Sequence, residues 1–235
     1  KDMNVLDNSK GVPNFTILSV LGGGYAGTVK NDTKVTVDGN TFLHRVYGGG
    51  FGDPTSTTDN NTGSIGGKTQ VFVKGANIHG DVFGGGAGVK PLTTTPEANG
   101  TTTTQYTYFL NVAKVNGTTL VEISDDAQIY GNVYGGGDIA NIGNAAETSD
   151  YTSKPVSEST ISQENTADYK AGEFISYKAD KYQTFVNLKG GDIFGEVFGG
   201  GKGLKKADAP EYDLVGRIYG NTLVHIVNTD IATST

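Results

Sequence analysis

The sequence has 235 residues and a mass of 24.5 kDa, enough for one large domain or two small ones. Its formal net charge of −7 argues against nucleic-acid and anionic-membrane partners, and the lack of cysteine excludes disulfide scaffolds, thiolate metal sites and cysteine nucleophiles. Glycine, at 36 residues, is about twice its usual share, and no apolar run nears the roughly 20 residues of a membrane helix.

Taken in chain order, the elements repeat. Phe15–Gly24 carries Val20-Leu21 into a triple glycine that starts at Gly22. A strand of the form Thr-x-hydrophobic-x-hydrophobic follows at Thr33-x-Val35-x-Val37. A second strand runs from Phe42 through Tyr47 into Gly48. This copy is degenerate, with Phe42 in the place of an isoleucine and His44 in the place of a glycine. The next pair is Thr69-x-Val71-x-Val73 and Ile78-x-Gly80-x-Val82-Phe83, ending at Gly84. Thr93–Thr104 is threonine-rich, contains Pro96 and reads as a surface loop. Tyr106–Val115, Asn116-Gly117 and Thr118–Ile123 read as a hairpin about an Asn-Gly turn. The third pair is Thr119-x-Val121-x-Ile123 and Ile129-x-Gly131-x-Val133-Tyr134, before Gly135. Ala145–Lys170 is the stretch most compatible with a helix, but its Ser and Thr content reads as loop. Phe174–Tyr177 and Tyr182–Leu188 read as a second hairpin. The fourth pair is Thr184-x-Val186-x-Leu188 and Ile193-x-Gly195-x-Val197-Phe198, before Gly199. A fifth strand, Thr222-x-Val224-x-Ile226, leads to Ile231, in register with Ile78. The sequence then stops inside a repeat, so a longer parent array is expected.

The threonine lies 15 residues before the triple glycine at Thr33, Thr69 and Thr184, and 16 before it at Thr119. The extra residue falls in Ser124–Ala127. From each triple glycine to the next threonine the lengths are 8, 18, 32, 46 and 20 residues. Constant strand pairs with insertions on one connection are the pattern of a solenoid. The expected fold is therefore all-β: a β-solenoid (β-helix) of about five to six coils, with residues 1–235 as a single repeat domain. Period-2 alternation turns the valines inward, and Thr33, Thr69, Thr119, Thr184 and Thr222 share their parity. These threonines should form a structural ladder. The glycine column should let the backbone turn with positive φ and let successive coils approach closely.

The opposite parity of the second strand carries the candidate ligand face. The copies are His79-Asp81-Phe83, Tyr130-Asn132-Tyr134 and Phe194-Glu196-Phe198, with a partial copy at Leu43-Arg45-Tyr47. Stacked, they give two aromatic columns flanking a polar row. Sugar C–H faces could pack on such rings while hydroxyls bond to the polar row; the competing reading is a structural aromatic ladder. As a catalytic pair Asp81 and Glu196 are marginal, because two coils of separation is about 10 Å and the glycosidase range is about 5–9.5 Å. A lyase would want Arg45 as a base beside Asp81. His44, His79 and His225 occupy unrelated template positions, and Asp125-Asp126 lacks the further oxygens calcium needs. Gly66–Thr69 leads into a strand rather than a helix and is not a phosphate loop. No metal or cofactor is expected.

The alternation of Ile-x-Gly-x-Val-[Tyr/Phe]-Gly-Gly-Gly with Thr-x-Val-x-Val resembles the glycine-rich repeats of very large bacterial cell-surface proteins. The resemblance covers Thr16 to Ile231. It implies a secreted, extracellular, adhesin-like repeat region and brings no catalytic residues. The function it points to is a non-enzymatic structural and adhesive module. Such a module would present Gly88–Asn116, Gly137–Lys181 and the aromatic stripe to host or microbial glycans or matrix proteins, without inserting into a membrane. Open sheet edges at its ends imply end-to-end self-association. The alternatives are a polysaccharide-processing β-helix enzyme, lyase or glycosidase-like, and a phage tail-fibre segment.

Overall fold

The computed structural model describes residues 16–39, 42–58, 61–95, 97–98, 101–102, 105–144, 182–205 and 214–227. The fold is all-β and built on two parallel sheets. The first sheet holds β2 (Thr33–Asp38), β4 (Thr69–Lys74), β11 (Thr119–Ser124), β14 (Thr184–Leu188) and β17 (Thr222–Ile226). They pair in that order, with Thr33, Thr69, Thr119, Thr184 and Thr222 in one register. The second sheet holds β1 (Thr16–Leu21) and β3 (Phe42–Tyr47). The split strands β5 (Asn77–Ile78) and β6 (Val82–Phe83), β12 (Gln128–Ile129) and β13 (Val133–Tyr134), and β15 (Asp192–Ile193) and β16 (Val197–Phe198) complete it. A strand of the first sheet, its follower in the second and the glycine corner after them make one rung. Among the described residues there are four whole rungs, a half-rung at β1 and another at β17.

Alternation explains why the sheets face each other. The inward valines, isoleucines and leucines of both sheets merge into one cluster from Val35 to Ile193, and most of it is fully buried. Each such side chain contributes about 1.5–3 kcal/mol when taken from water. The threonines sit at the rim of this core and close each rung. Their Oγ1 atoms donate to the carbonyl of the first corner glycine: Thr33 to Gly48, Thr69 to Gly84, Thr119 to Gly135 and Thr184 to Gly199, each at 2.5 Å. The constant 15- or 16-residue spacing in the sequence is therefore the length of this closure.

The triple glycines serve close approach alone. Their φ angles are not positive, contrary to the expectation that they turn the backbone that way. A Cβ on Gly48 would collide with the Gly84 carbonyl oxygen, and one on Gly84 with that of Gly135. The middle glycines face a second column, Val29, Ile65, Val115, Ile142 and Ile218, whose members bridge from rung to rung. The Cδ1 of Ile142, for example, lies 2.6 Å from where a Gly85 Cβ would be. This column divides the variable connection. Insertion occurs ahead of it before Val115 and behind it after Ile142, so there are two insertion points rather than one.

Three further sequence readings change. Asn116-Gly117 is a corner and not a hairpin turn: Gly117 N–H donates to Gly67 O at 3.0 Å, and β11 pairs in parallel. The antiparallel pairing lies earlier and spans the stretch read as loop, where β7 (Leu92–Thr94) pairs with β10 (Gln105–Thr107) and β8 (Glu97–Ala98) with β9 (Thr101–Thr102). In the degenerate copy Leu43, not Phe42, aligns with Ile78, because the strand is one residue shorter and the corner before it one longer. The readings at Ala145–Lys170 and Phe174–Tyr177 lie outside the described residues. Buried Asn141 ties the insertions back to the rungs, donating toward Leu110 O and Leu214 O and accepting from Arg217 N.

Candidate functional site

Both aromatic columns form. On the outer face of the second sheet His79, Tyr130 and Phe194 stack at 4.9 Å between centroids, with planes 24° and 9° apart. Tyr47, Phe83, Tyr134 and Phe198 stack at the same spacing, with planes 3°, 6° and 10° apart. Parallel pairing in strict register imposes that repeat on every ring.

The columns differ in access. Tyr130 is 47% exposed and Phe194 43%, whereas Phe83 is 0% and Tyr134 7% exposed. The difference comes from the residue after each triple glycine. Tyr25, Phe51 and Ala87 bridge successively, Ala87 bridges Ile139 antiparallel, and Asp138 next to it bridges Lys202, with Phe51 and Ala87 packed against the second aromatic stack. The Lys202 ammonium lies 5.7 Å from the Phe83 centroid and 6.0 Å from that of Tyr134. Phe83 and Tyr134, candidates for ligand contact, are thus members of a small second core. Leu43 of the partial copy is also core, at 3% exposure, through the register shift above.

Stacking also constrains what the exposed column offers. Tyr130 has a ring on each face, so it presents mainly its edge. Sugar C–H faces would have to stack at the end of the column, on the outer face of Phe194. Ring edges carry the positive part of the aromatic quadrupole and favour oxygen acceptors. Beside them, the Tyr130 hydroxyl donates to Gln128 Oε1 at 3.0 Å.

The polar row is largely bonded within the protein. Asp81 Oδ1 accepts the Asn132 N–H at 2.9 Å, and Asn132 Oδ1 accepts the Glu196 N–H at 2.8 Å. Asn132 Nδ2 donates to the Tyr134 hydroxyl at 3.2 Å. The cause is local: the strands break at Gly80, Gly131 and Gly195, and a side chain one rung back supplies the acceptor the break removes. The row ends at Glu196, which is exposed.

A charge cluster lies where the polar row meets the covering column. Lys202 Nζ sits 3.0 Å from Asp81 Oδ2, and the Tyr47 hydroxyl points to Asp138 Oδ2 at 3.4 Å. Burial pushes the Asp138 carboxyl up and the charge of Asp81 adds to this, against the pull of Lys202 and Arg45. Burial, reinforced by Asp138, pushes Tyr47 up to about 12. For Lys202 partial burial acts downward, but the bond to Asp81 and the charges of Asp138 and Asp81 outweigh it, so its pKa is raised. Next to Asp138, Ile139 has φ of 60°, a left-handed conformation that β-branched residues rarely adopt. Neither Asp138 nor Lys202 was found from the sequence, although each directly follows a triple glycine, and that position is what puts them in one column.

The cluster holds a charged lysine bonded to a carboxylate, which is the wrong state for a general base. Asp81 and Glu196 are two rungs apart, with Asn132 bonded to both. Among the described residues no three His, Cys, Asp or Glu side chains are grouped to hold a metal ion. The histidines are separated: His79 stacks on Tyr130, while His225 Nδ1 meets Asn187 Oδ1 at 3.1 Å on the first sheet. No protein-family model matches the chain, and no curated protein or solved structure is similar enough to count as a match.

Proposed function

We propose that the chain is a β-solenoid segment serving as a non-enzymatic structural and adhesive module of a bacterial cell-surface protein. The observation that carries this reading is the division of labour within the repeat. Thr–Gly closure, glycine corner and valine core recur rung after rung at a spacing of 15 or 16 residues, while the connections between them vary from 8 to 46 residues. That arrangement fits a scaffold that presents variable segments. The ligand face in this reading narrows to His79, Tyr130, Phe194, Glu196 and Phe198, because these keep exposed surface. Contact would be made by ring edges and carboxylate along a shallow strip, and the partner of this chemistry is a hydroxyl-rich glycan.

The test is binding of the purified chain to a broad glycan array, with Tyr130→Ala and Phe194→Ala beside it. Glycan binding that both substitutions abolish supports the strip. Binding that survives them moves the contact to the insertions, and no binding to any glycan rejects the adhesive half of the proposal. The enzyme alternative has one observation in its favour, the Lys202–Asp81–Asp138 cluster. It predicts new reducing or unsaturated ends from polysaccharide that vanish in Asp81→Ala.

A further inference from the structure

His79 and His225 stand on different sheets, but the degenerate rung sets another histidine beside His79. Leu43 pairs with Ile78, so the next residue, His44, falls opposite His79. The backbone bonds of the column agree. Tyr130 N–H donates to Ile78 O at 2.8 Å and Phe194 N–H to Ile129 O at 2.9 Å. Those bonds set Tyr130 against His79 and Phe194 against Tyr130. His79 N–H donates to Leu43 O at 2.8 Å in the same way, which sets His79 against His44. Both histidines are exposed. Counted back from its triple glycine, His44 would fall at the place of Gly80, Gly131 and Gly195; the shorter strand of this rung moves it into the column of His79.

Two imidazoles on neighbouring parallel strands can hold one ion between them. Strands in a sheet lie about 4.8 Å apart. Zinc–imidazole bonds are about 2.0–2.1 Å, so two of them span up to about 4.2 Å, and exposed rings need only lean together to share an ion. We infer that His44 and His79 form a two-histidine site for a divalent ion of the zinc class. Imidazole suits zinc, copper and nickel, whereas calcium and magnesium take oxygen. Asp81, two residues beyond His79, is committed elsewhere: one oxygen accepts the Asn132 N–H and the other meets Lys202 Nζ. Among the described residues no third His, Cys, Asp or Glu joins the pair. The other positions of a four-coordinate ion fall to water or another exchangeable ligand, so the site is open and its ion reversible. Bound there, the ion clips β3 to the second sheet where β5 and β6 part at Gly80. The site rests on strand register and is independent of the glycan reading.

Zinc chloride added to the tag-free chain in metal-free buffer tests it. Calorimetry should give one zinc per chain, and the ring signals of His44 and His79 should shift in NMR spectra while those of His225 stay in place. His44→Ala and His79→Phe should each weaken zinc binding by more than about tenfold, since even an outer partner of a metal ligand contributes that much. His79→Phe keeps a ring for Tyr130 to stack on and removes only the nitrogens. His225→Ala should bind zinc as the parent does, and excess calcium or magnesium should not compete. Circular dichroism verifies that each variant stays folded. A chain that takes up no zinc overturns the inference. So does zinc binding that survives either substitution, that is lost in His225→Ala, or that calcium displaces.

Discussion

The rung closure makes a quantitative prediction at Thr119. This residue is 2% exposed, and its hydroxyl donates to Gly135 O at 2.5 Å across a 16-residue span. Thr119→Val keeps the shape and removes the donor. No other donor reaches the Gly135 carbonyl among the described residues, so the change leaves a buried acceptor unpaired, at a cost of about 1–3 kcal/mol. The methyl that replaces the hydroxyl gains up to about 0.8 kcal/mol by burial. The net expectation is a loss of about 1–2 kcal/mol, or roughly 2–8 °C in Tm for a chain of this size. Urea unfolding followed by circular dichroism, at protein concentrations too low for association, gives the number. Thr222→Val is the internal control: the same substitution in the same column, on a threonine with no glycine acceptor, should change little. A Thr119→Val chain as stable as the parent, or a Thr222→Val chain that loses as much, refutes the closure argument.

Two glycines of one motif should behave oppositely. Gly84→Ala drives a methyl into the Gly135 carbonyl and should cost about 3 kcal/mol or more, or prevent folding. Gly200→Ala meets nothing within 4 Å and has no positive φ, so it should be neutral or stabilise by up to about 1 kcal/mol; thermal melts separate the two. Tyr47, pushed up to about 12, holds its proton more tightly folded than unfolded. Its contribution is therefore complete below pH 10 and is lost as pH rises through about 12, by up to roughly 3 kcal/mol. Tyr47→Phe should remove that alkaline slope in unfolding measured against pH. The raised Asp138 carboxyl has the same sign at lower pH: the native state favours its protonated form, and stability falls as pH rises through its folded pKa. Asp138→Asn should therefore be more stable than the parent at pH 7, with the gap closing toward pH 4.

Much of this was legible in the residues because the fold repeats. A parallel ladder in register turns equal spacing into spatial columns, so Thr33, Thr69, Thr119, Thr184 and Thr222 could be aligned by counting. The aromatic columns followed in the same way, since a shared offset from the triple glycine fixes both rung and face. What escaped counting was depth. His79-x-x-x-Phe83 and Tyr130-x-x-x-Tyr134 give the two columns the same pattern, but only one of them is covered. The covering residues Ala87, Asp138 and Lys202 share a position and no residue type, so no pattern announced them. The degenerate rung misled for a related reason. Phe42 is the larger apolar candidate for the isoleucine place, and a residue gained in the corner and lost in the strand leaves the 15-residue total unchanged.

That compensation bears on how insertions are tolerated. The threonine hydroxyl and the glycine carbonyl it reaches belong to one rung, so the closure depends on the residues between them and on nothing after Gly-Gly-Gly. A connection can then grow from 8 to 46 residues without altering any rung's own closure. What it must preserve is the return to register at Val29, Ile65, Val115, Ile142 or Ile218. In the longest case the return at Ile142 comes before the insertion, and Gln183 restores the corner by donating from Nε2 to Gly117 O at 2.5 Å. Removing that donor with Gln183→Leu should weaken the re-entry of the chain while leaving the Thr184–Gly199 closure intact. Hydrogen exchange at Thr184–Leu188 should rise, with that at Thr119–Ser124 unchanged. Equal rises in both strands would mean that the rungs do not close independently.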